Sequence, residues 1–188
     1  MPRLFAGLEL PEEQRQRLAL IKGPLPGAKW VSPADMHLTL RFAGDVDNHV
    51  ADEFAGFMSE IALEPFEVRV TGLGTFGGRE PRVIHAEVEG GLALQHLQRA
   101  VDRAARAAGV PPEARSFTPH VTLARLRGTN AEAVARLLGA SGLLRLAPFV
   151  VARFVLFSSR PRQGGGPYVI EQAYALGHRA DAHWQAAD

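Results

Sequence analysis

The 188-residue chain contains no cysteine. That one absence excludes disulfides, thiolate metal sites and cysteine nucleophiles together. Lysine is almost missing as well: Lys22 and Lys29 are the only two, so arginine supplies nearly all of the 21 basic residues. Arginine suits phosphate recognition, although a compositional bias produces the same count. The 21 basic and 20 acidic residues nearly cancel, leaving a net charge of +1. With no strong overall field, any contact with nucleic acid has to be local, made by a basic cleft. Long hydrophobic runs are lacking too. No segment reaches the ~20 apolar residues that cross a bilayer. The opening MPRLFAGLEL is interrupted by Gly7 and Glu9 and has no small-residue cleavage site behind it. The expectation is a cytoplasmic protein with no membrane partner, whose 46% hydrophobic and 22% charged residues are enough for a packed core.

What is present is a pattern of short strands and amphipathic helices. Strands are predicted over 4–10, 36–42, 66–70, 83–88, 117–123, 149–157 and 168–176, with helices over 11–21, 49–61, 92–108 and from Asn130 to Leu138. Leu18, Leu20 and Ile21 form the expected buried side of the first helix. Asn48 is the expected cap of the second. The segment Gly72 to Gly78, with four glycines, reads as irregular. The tail 178–188 is polar, and Gln163 to Gly166 reads as a loop. Strand, helix, then strand occurs twice, over 4–42 and again over 83–123, which suggests a diverged duplication. Residues 1–177 are therefore expected to form one domain of two related lobes with a groove between them.

Each repeat ends in the same tetrad, His37-Leu38-Thr39-Leu40 and His120-Val121-Thr122-Leu123. Alternation along a strand puts His and Thr on one face and two aliphatics on the other. One such tetrad is weak evidence, since a strand histidine is more often structural. Two, at equivalent places in a repeat, point to a shared site. Free histidine titrates at about 6.5, so a pair can hold one protonated and one neutral ring near neutrality, as acid-base catalysis requires. The threonine hydroxyls can donate to phosphate oxygens. No HExxH pair, carboxylate cluster or phosphate-binding Gly-Lys-Ser/Thr loop accompanies them, so no metal and no cofactor is expected.

Arg41 shares the parity of His37 and Thr39 and so extends the positive cleft, or else is an exposed strand-end residue. Phe76 is a candidate for stacking on a base, with a core or loop-anchoring role as the alternative. His85 lacks a partner threonine and reads as structural or surface.

Together the two tetrads, MPRLFAGLELPEE, WVSPADMHLTLRFAG and FTPHVTLARLRG resemble the two-histidine phosphoesterase superfamily. Within it they are most similar to the RNA 2′,3′-cyclic phosphodiesterases, formerly called 2′-5′ RNA ligases. The resemblance implies an α+β fold, bilobal and duplicated, with antiparallel sheets around a central cleft and helices on the outside. It also implies a metal-independent hydrolase that opens RNA 2′,3′-cyclic phosphate ends to 2′-phosphomonoesters, with reversible 2′-5′ ligation; a monomer is expected. Cleavage of another cyclic nucleotide or a 2′-5′ oligonucleotide is the alternative, and a non-catalytic RNA-end module a more distant one. By the same resemblance His37 is the proton donor, His120 the proton acceptor, and Thr39, Thr122 and Arg125 bind phosphate. The residues themselves leave the two histidine roles interchangeable. Strand parity puts Arg125 on the core side with Val121 and Leu123, so it reaches the cleft only if the strand bends or ends near Ala124.

Overall fold

The computed structural model describes residues 3–142, 144–159 and 168–177. The 178–188 tail and the Gln163 to Gly166 loop lie outside them. Among the described residues there are nine strands and four α-helices, and no helix is long and apolar enough to cross a membrane. In chain order they are β1 (Arg3–Glu9), α1 (Glu12–Ala19), β2 (Ala28–Trp30), β3 (His37–Asp45), α2 (Asn48–Ser59), β4 (Phe66–Phe76) and β5 (Val83–Glu89). They continue with α3 (Gly91–Ala107), β6 (His120–Leu126), α4 (Ala131–Ala140), β7 (Phe149–Val151), β8 (Arg153–Ser159) and β9 (Tyr168–Ala175).

The strands form one antiparallel sheet in the order β7-β4-β5-β6-β3-β1-β8-β9, with β2 against β6. Its two halves mirror each other: β3-β1-β8-β9 on one side and β6-β5-β4-β7 on the other. The join is the pairing of Leu38 with Val121, the residues that follow the two motif histidines. The α+β duplication expected from the sequence is thus present, and its two motif strands are direct neighbours.

One face of the sheet carries the main core. Helix α3 buries Leu94, Leu97, Val101, Ala104 and Ala105 against it, one stripe at helical spacing, and α2 adds Phe54 and Met58. Full burial of one such leucine or phenylalanine contributes about 2 kcal/mol. The motif aliphatics Leu38, Leu40, Val121 and Leu123 point into this core, each 3% exposed or less.

Several local expectations are corrected by the structure. Leu20 is 84% exposed and lies past the end of α1 at Ala19; the buried residues of that helix are Gln14 and Leu18, and Ile21 is buried just beyond it. The cap of α2 is Asp47, whose carboxylate accepts from the Val50 N–H at 2.9 Å, while Asn48 is already helical. The Gly72 to Phe76 stretch is not irregular but continues β4. The predicted strand 149–157 is two strands: β7 pairs with β4 in one half, and β8, beginning at Arg153, pairs with β1 in the other.

Glycine is required where β1 crosses the first motif. Gly7 lies opposite Thr39, and a Cβ there would stand 2.7 Å from the Leu38 carbonyl oxygen and 3.3 Å from the Phe157 ring. A backbone atom cannot swing aside. Gly7→Ala is expected to lower the thermal midpoint by about 5 °C, equivalent to about 2 kcal/mol of overpacking. An unchanged melting curve would show that β1 and β3 can separate there without loss.

Candidate active site

His37 and His120 open β3 and β6, half-buried on the sheet face opposite the main core. Each ring is tied at Nδ1 to a carbonyl two residues back: Asp35 O for His37 and Thr118 O for His120, both at 2.7 Å. A carbonyl only accepts, so each Nδ1 carries hydrogen and donates it. In the neutral ring Nε2 is then the free lone pair. Two separate segments, one leading into each motif strand, impose the same tautomer on both histidines. In the resting site the Thr39 hydroxyl lies 3.1 Å from His37 Nε2.

The surroundings of the two rings differ. His37 is enclosed by Phe5, Phe157 and Tyr168, with ring centroids at 4.8, 5.5 and 4.9 Å. Burial in this cage, opposed by the Asp35 carbonyl bond and reinforced by the positive charges of His120 and Arg125, pushes its pKa down to about 4. His37 is therefore neutral in the resting protein at pH 7. His120 meets Phe76 edge-on at 4.9 Å and His85 at 5.4 Å.

His85 is the neighbour that sequence reasoning missed. It is only 4% exposed and lies opposite Thr122 in the register of β5 and β6, the position Gly7 holds opposite Thr39 in the other half. Its ring stacks on Phe76 at 4.0 Å and fills the space that Gly74 leaves, where a Cβ would meet His85 Nε2 at 2.8 Å. Burial first and His120 second push His85 down to about 4, so it too is uncharged at neutral pH. Phe76 has one face covered by His85 and its edge on His120, which places it at the histidine itself.

The two arginines exchange the positions parity assigned them. Both motif strands carry a register shift just after the threonine: Gly7 pairs with Thr39 but Ala6 with Arg41, and His85 pairs with Thr122 but Ile84 with Ala124. Each shift inserts one residue, Leu40 or Leu123, and reverses the alternation beyond it. Arg41 accordingly turns into the protein. It does not extend the cleft and is not a surface residue: its side chain is 3% exposed and pairs with Asp102 on α3 at 2.8 Å and with Glu113 at 3.5 Å. Arg125 turns outward on the histidine face, close enough for its charge to depress His37. Lys29 pairs with Arg125 across β2 and β6, adding a second cation to that end of the face. The counterpart of Arg125 in the first half is Phe42, 39% exposed and stacked on Phe5 at 5.3 Å. Among the described residues no three His, Asp or Glu side chains converge as a metal site.

A family model, the 2′-5′ RNA ligase superfamily, matches residues 10–162. The chain belongs to this superfamily. Its relatives include a protein of Aeropyrum pernix named RNA 2′,3′-cyclic phosphodiesterase, 36% identical over 140 residues, covering 72% of this chain and 80% of the relative. A protein of the same name from Methanothermobacter thermautotrophicus is 30% identical over 188 residues, covering 93% and 98%. Among solved structures, Escherichia coli LigT complexed with 3′-AMP superposes with a TM-score of 0.75 at 24% identity, over 95% of this chain and all of LigT. That likeness establishes the superfamily fold, the curled antiparallel sheet with its helices, for this chain.

Proposed function

We propose that the chain hydrolyses RNA 2′,3′-cyclic phosphate ends to 2′-phosphomonoesters without a metal ion, as a cytoplasmic monomer, and that its RNA partner is bound through that end. The names of its superfamily relatives support the substrate class. The pair of Nδ1–carbonyl bonds, which leaves both Nε2 atoms available on one face, carries the mechanism. In this reading His120 Nε2 accepts a proton from water as the water oxygen bonds to phosphorus. The bond from phosphorus to the ribose 3′ oxygen breaks, and His37 Nε2 delivers its proton to that oxygen. Thr39, Thr122 and Arg125 hold the non-bridging oxygens, where charge accumulates. The anionic phosphate offsets the repulsion that His120 and Arg125 exert on His37, so proton uptake at His37 is coupled to substrate binding. Joining to a 2′-5′ linkage is the same path with the 5′ hydroxyl of a second RNA in place of water: its oxygen bonds to phosphorus, its proton goes to His120, and the bond to the 3′ oxygen breaks.

The experiment is turnover of a short RNA bearing a 2′,3′-cyclic end by metal-stripped protein with chelator present. A 2′-monophosphate product at undiminished rate is expected; a strict metal requirement, or a 3′-phosphate product, overturns the reading. The pH profile follows from the electrostatics. Two coupled histidines give a bell in kcat/KM, and its acid limb belongs to the ring that is harder to protonate. That limb is expected at about 4, the value to which burial and neighbouring charge bring His37. Removing the positive charge in Arg125→Ala makes protonation easier, so the limb should move upward. An acid limb near 6.5 in the unmodified protein would mean that burial does not govern the site.

A further inference from the structure

The half-site at His37 is lined differently from its counterpart at His120. A cavity of about 150 Å³ opens beside the ring, walled by Phe157, Tyr168, Met36 and Ile170. Pockets for drug-sized molecules begin at about 300 Å³, so this one has room for a single heterocycle but not for a whole nucleotide. Two polar side chains without partners face it. Asp35 is 8% exposed, yet its carboxyl makes no hydrogen bond or ion pair among the described residues, and its oxygens are not sealed off from the cavity. Arg15, on α1, also lines it and its side chain makes no hydrogen bond or ion pair among the described residues; its Nε is sealed off, so its terminal nitrogens are the ones that can reach a ligand. Buried polar groups are nearly always satisfied, so a carboxyl and a guanidinium left open in one cavity imply a ligand that supplies both partners. The third charged residue there, Glu9, is already paired with Arg153 at 2.7 Å. In the other half the residue two before the histidine is Thr118, which is exposed.

We propose that this cavity is a nucleobase pocket that favours guanine, with Asp35 accepting its hydrogen bonds and Arg15 donating one. The assignment rests on reading the site as a nucleotide-end phosphodiesterase. Guanine alone of the four bases presents two adjacent N–H donors, at N1 and N2, to match the two oxygens of a carboxylate, with the O6 acceptor beside them for Arg15. Phe157 and Tyr168 offer aromatic surface to the base, and both rings also touch His37. A base held there sets which ribose oxygen meets His37. The pseudo-twofold ambiguity of two similar histidines is thereby removed: the base lies on the His37 side because the buried carboxyl that reads it stands there, where the other half has the exposed Thr118.

The test measures binding apart from turnover. The four nucleoside 2′-monophosphates are titrated calorimetrically into the unmodified protein, Asp35→Asn and Arg15→Met, with a thermal melt of each. Guanosine 2′-monophosphate is expected to bind about tenfold tighter than uridine 2′-monophosphate, as a bidentate base contact gives. Asp35→Asn, nearly isosteric, should abolish that ratio, chiefly by weakening guanosine 2′-monophosphate; Arg15→Met, on a separate element, should reduce it. Equal binding of all four, or a guanine preference that persists in Asp35→Asn, overturns the pocket. Parallel hydrolysis of the four 2′,3′-cyclic nucleotides separates this from the reading beneath it. Base-indifferent turnover leaves the phosphodiesterase standing without the pocket, whereas base-selective binding with no turnover leaves the pocket without the enzyme.

Discussion

Replacing His120 with alanine is expected to slow the opening of an RNA 2′,3′-cyclic end by about 10³-fold, within the range that a positioned acid or base supplies. His37→Ala should cost as much. The rings are not interchangeable in stability, however. His120 is half-exposed, so its removal should leave the melting curve within about 1 °C. His37 is packed against Phe5, Phe157 and Tyr168, and its loss opens a gap in that cage. A lower melting temperature for His37→Ala alone is therefore expected. Activity should be compared below both midpoints.

The same two variants decide which histidine gives and which takes the proton. A cyclic substrate with sulfur at the 3′ bridging position releases a thiolate, which leaves without being protonated. The variant lacking the proton donor should recover most of its rate on this substrate, and the variant lacking the acceptor should not. Recovery in His37→Ala supports the assignment proposed above. Recovery in His120→Ala reverses it, and recovery in neither removes general acid catalysis from the mechanism.

Much of this site was legible in the residues. Period-two alternation put His37, Thr39, His120 and Thr122 on one face because nothing interrupts either strand between His and Thr. Beyond the threonines the same rule failed, for a physical reason that parity cannot carry. An inserted residue reverses every later side chain, and nothing in Leu40 or Leu123 marks them as the inserted residues. The repeat held a clue: the offset from His120 to Arg125 leads in the first half to Phe42, not to Arg41. His85 was missed because its neighbourhood depends on which strand pairs with β6, a long-range fact. Gly72 and Gly74 read as a broken strand, whereas their missing side chains make room for His85 and Glu87 from β5. The division of 149–157 at Ala152 is tertiary as well, since each piece pairs in a different half of the sheet.

Arg41→Ala and Arg125→Ala should therefore have opposite effects, although both arginines follow a motif tetrad on its own strand. Arg41 is a buried cation bonded to Asp102 and to the Pro111 carbonyl, tying β3 to α3 and to the segment after it. Removing it strands Asp102, only 17% exposed, with Arg106 at 2.9 Å as its remaining partner. Breaking a buried pair costs about 3–5 kcal/mol, so the thermal midpoint should fall by about 10 °C. Turnover by the fraction still folded should change little, because no part of Arg41 reaches the histidine face. Arg125 is exposed and should contribute almost nothing to the melt. Its loss should nonetheless lower kcat/KM by about 10²-fold, as the removal of one preorganised charge-stabilising group does elsewhere. Denaturation curves and initial rates on both proteins check the pair. A stable, inactive Arg41→Ala protein together with an unstable, active Arg125→Ala protein would restore the uninterrupted strand parity and refute the two bulges.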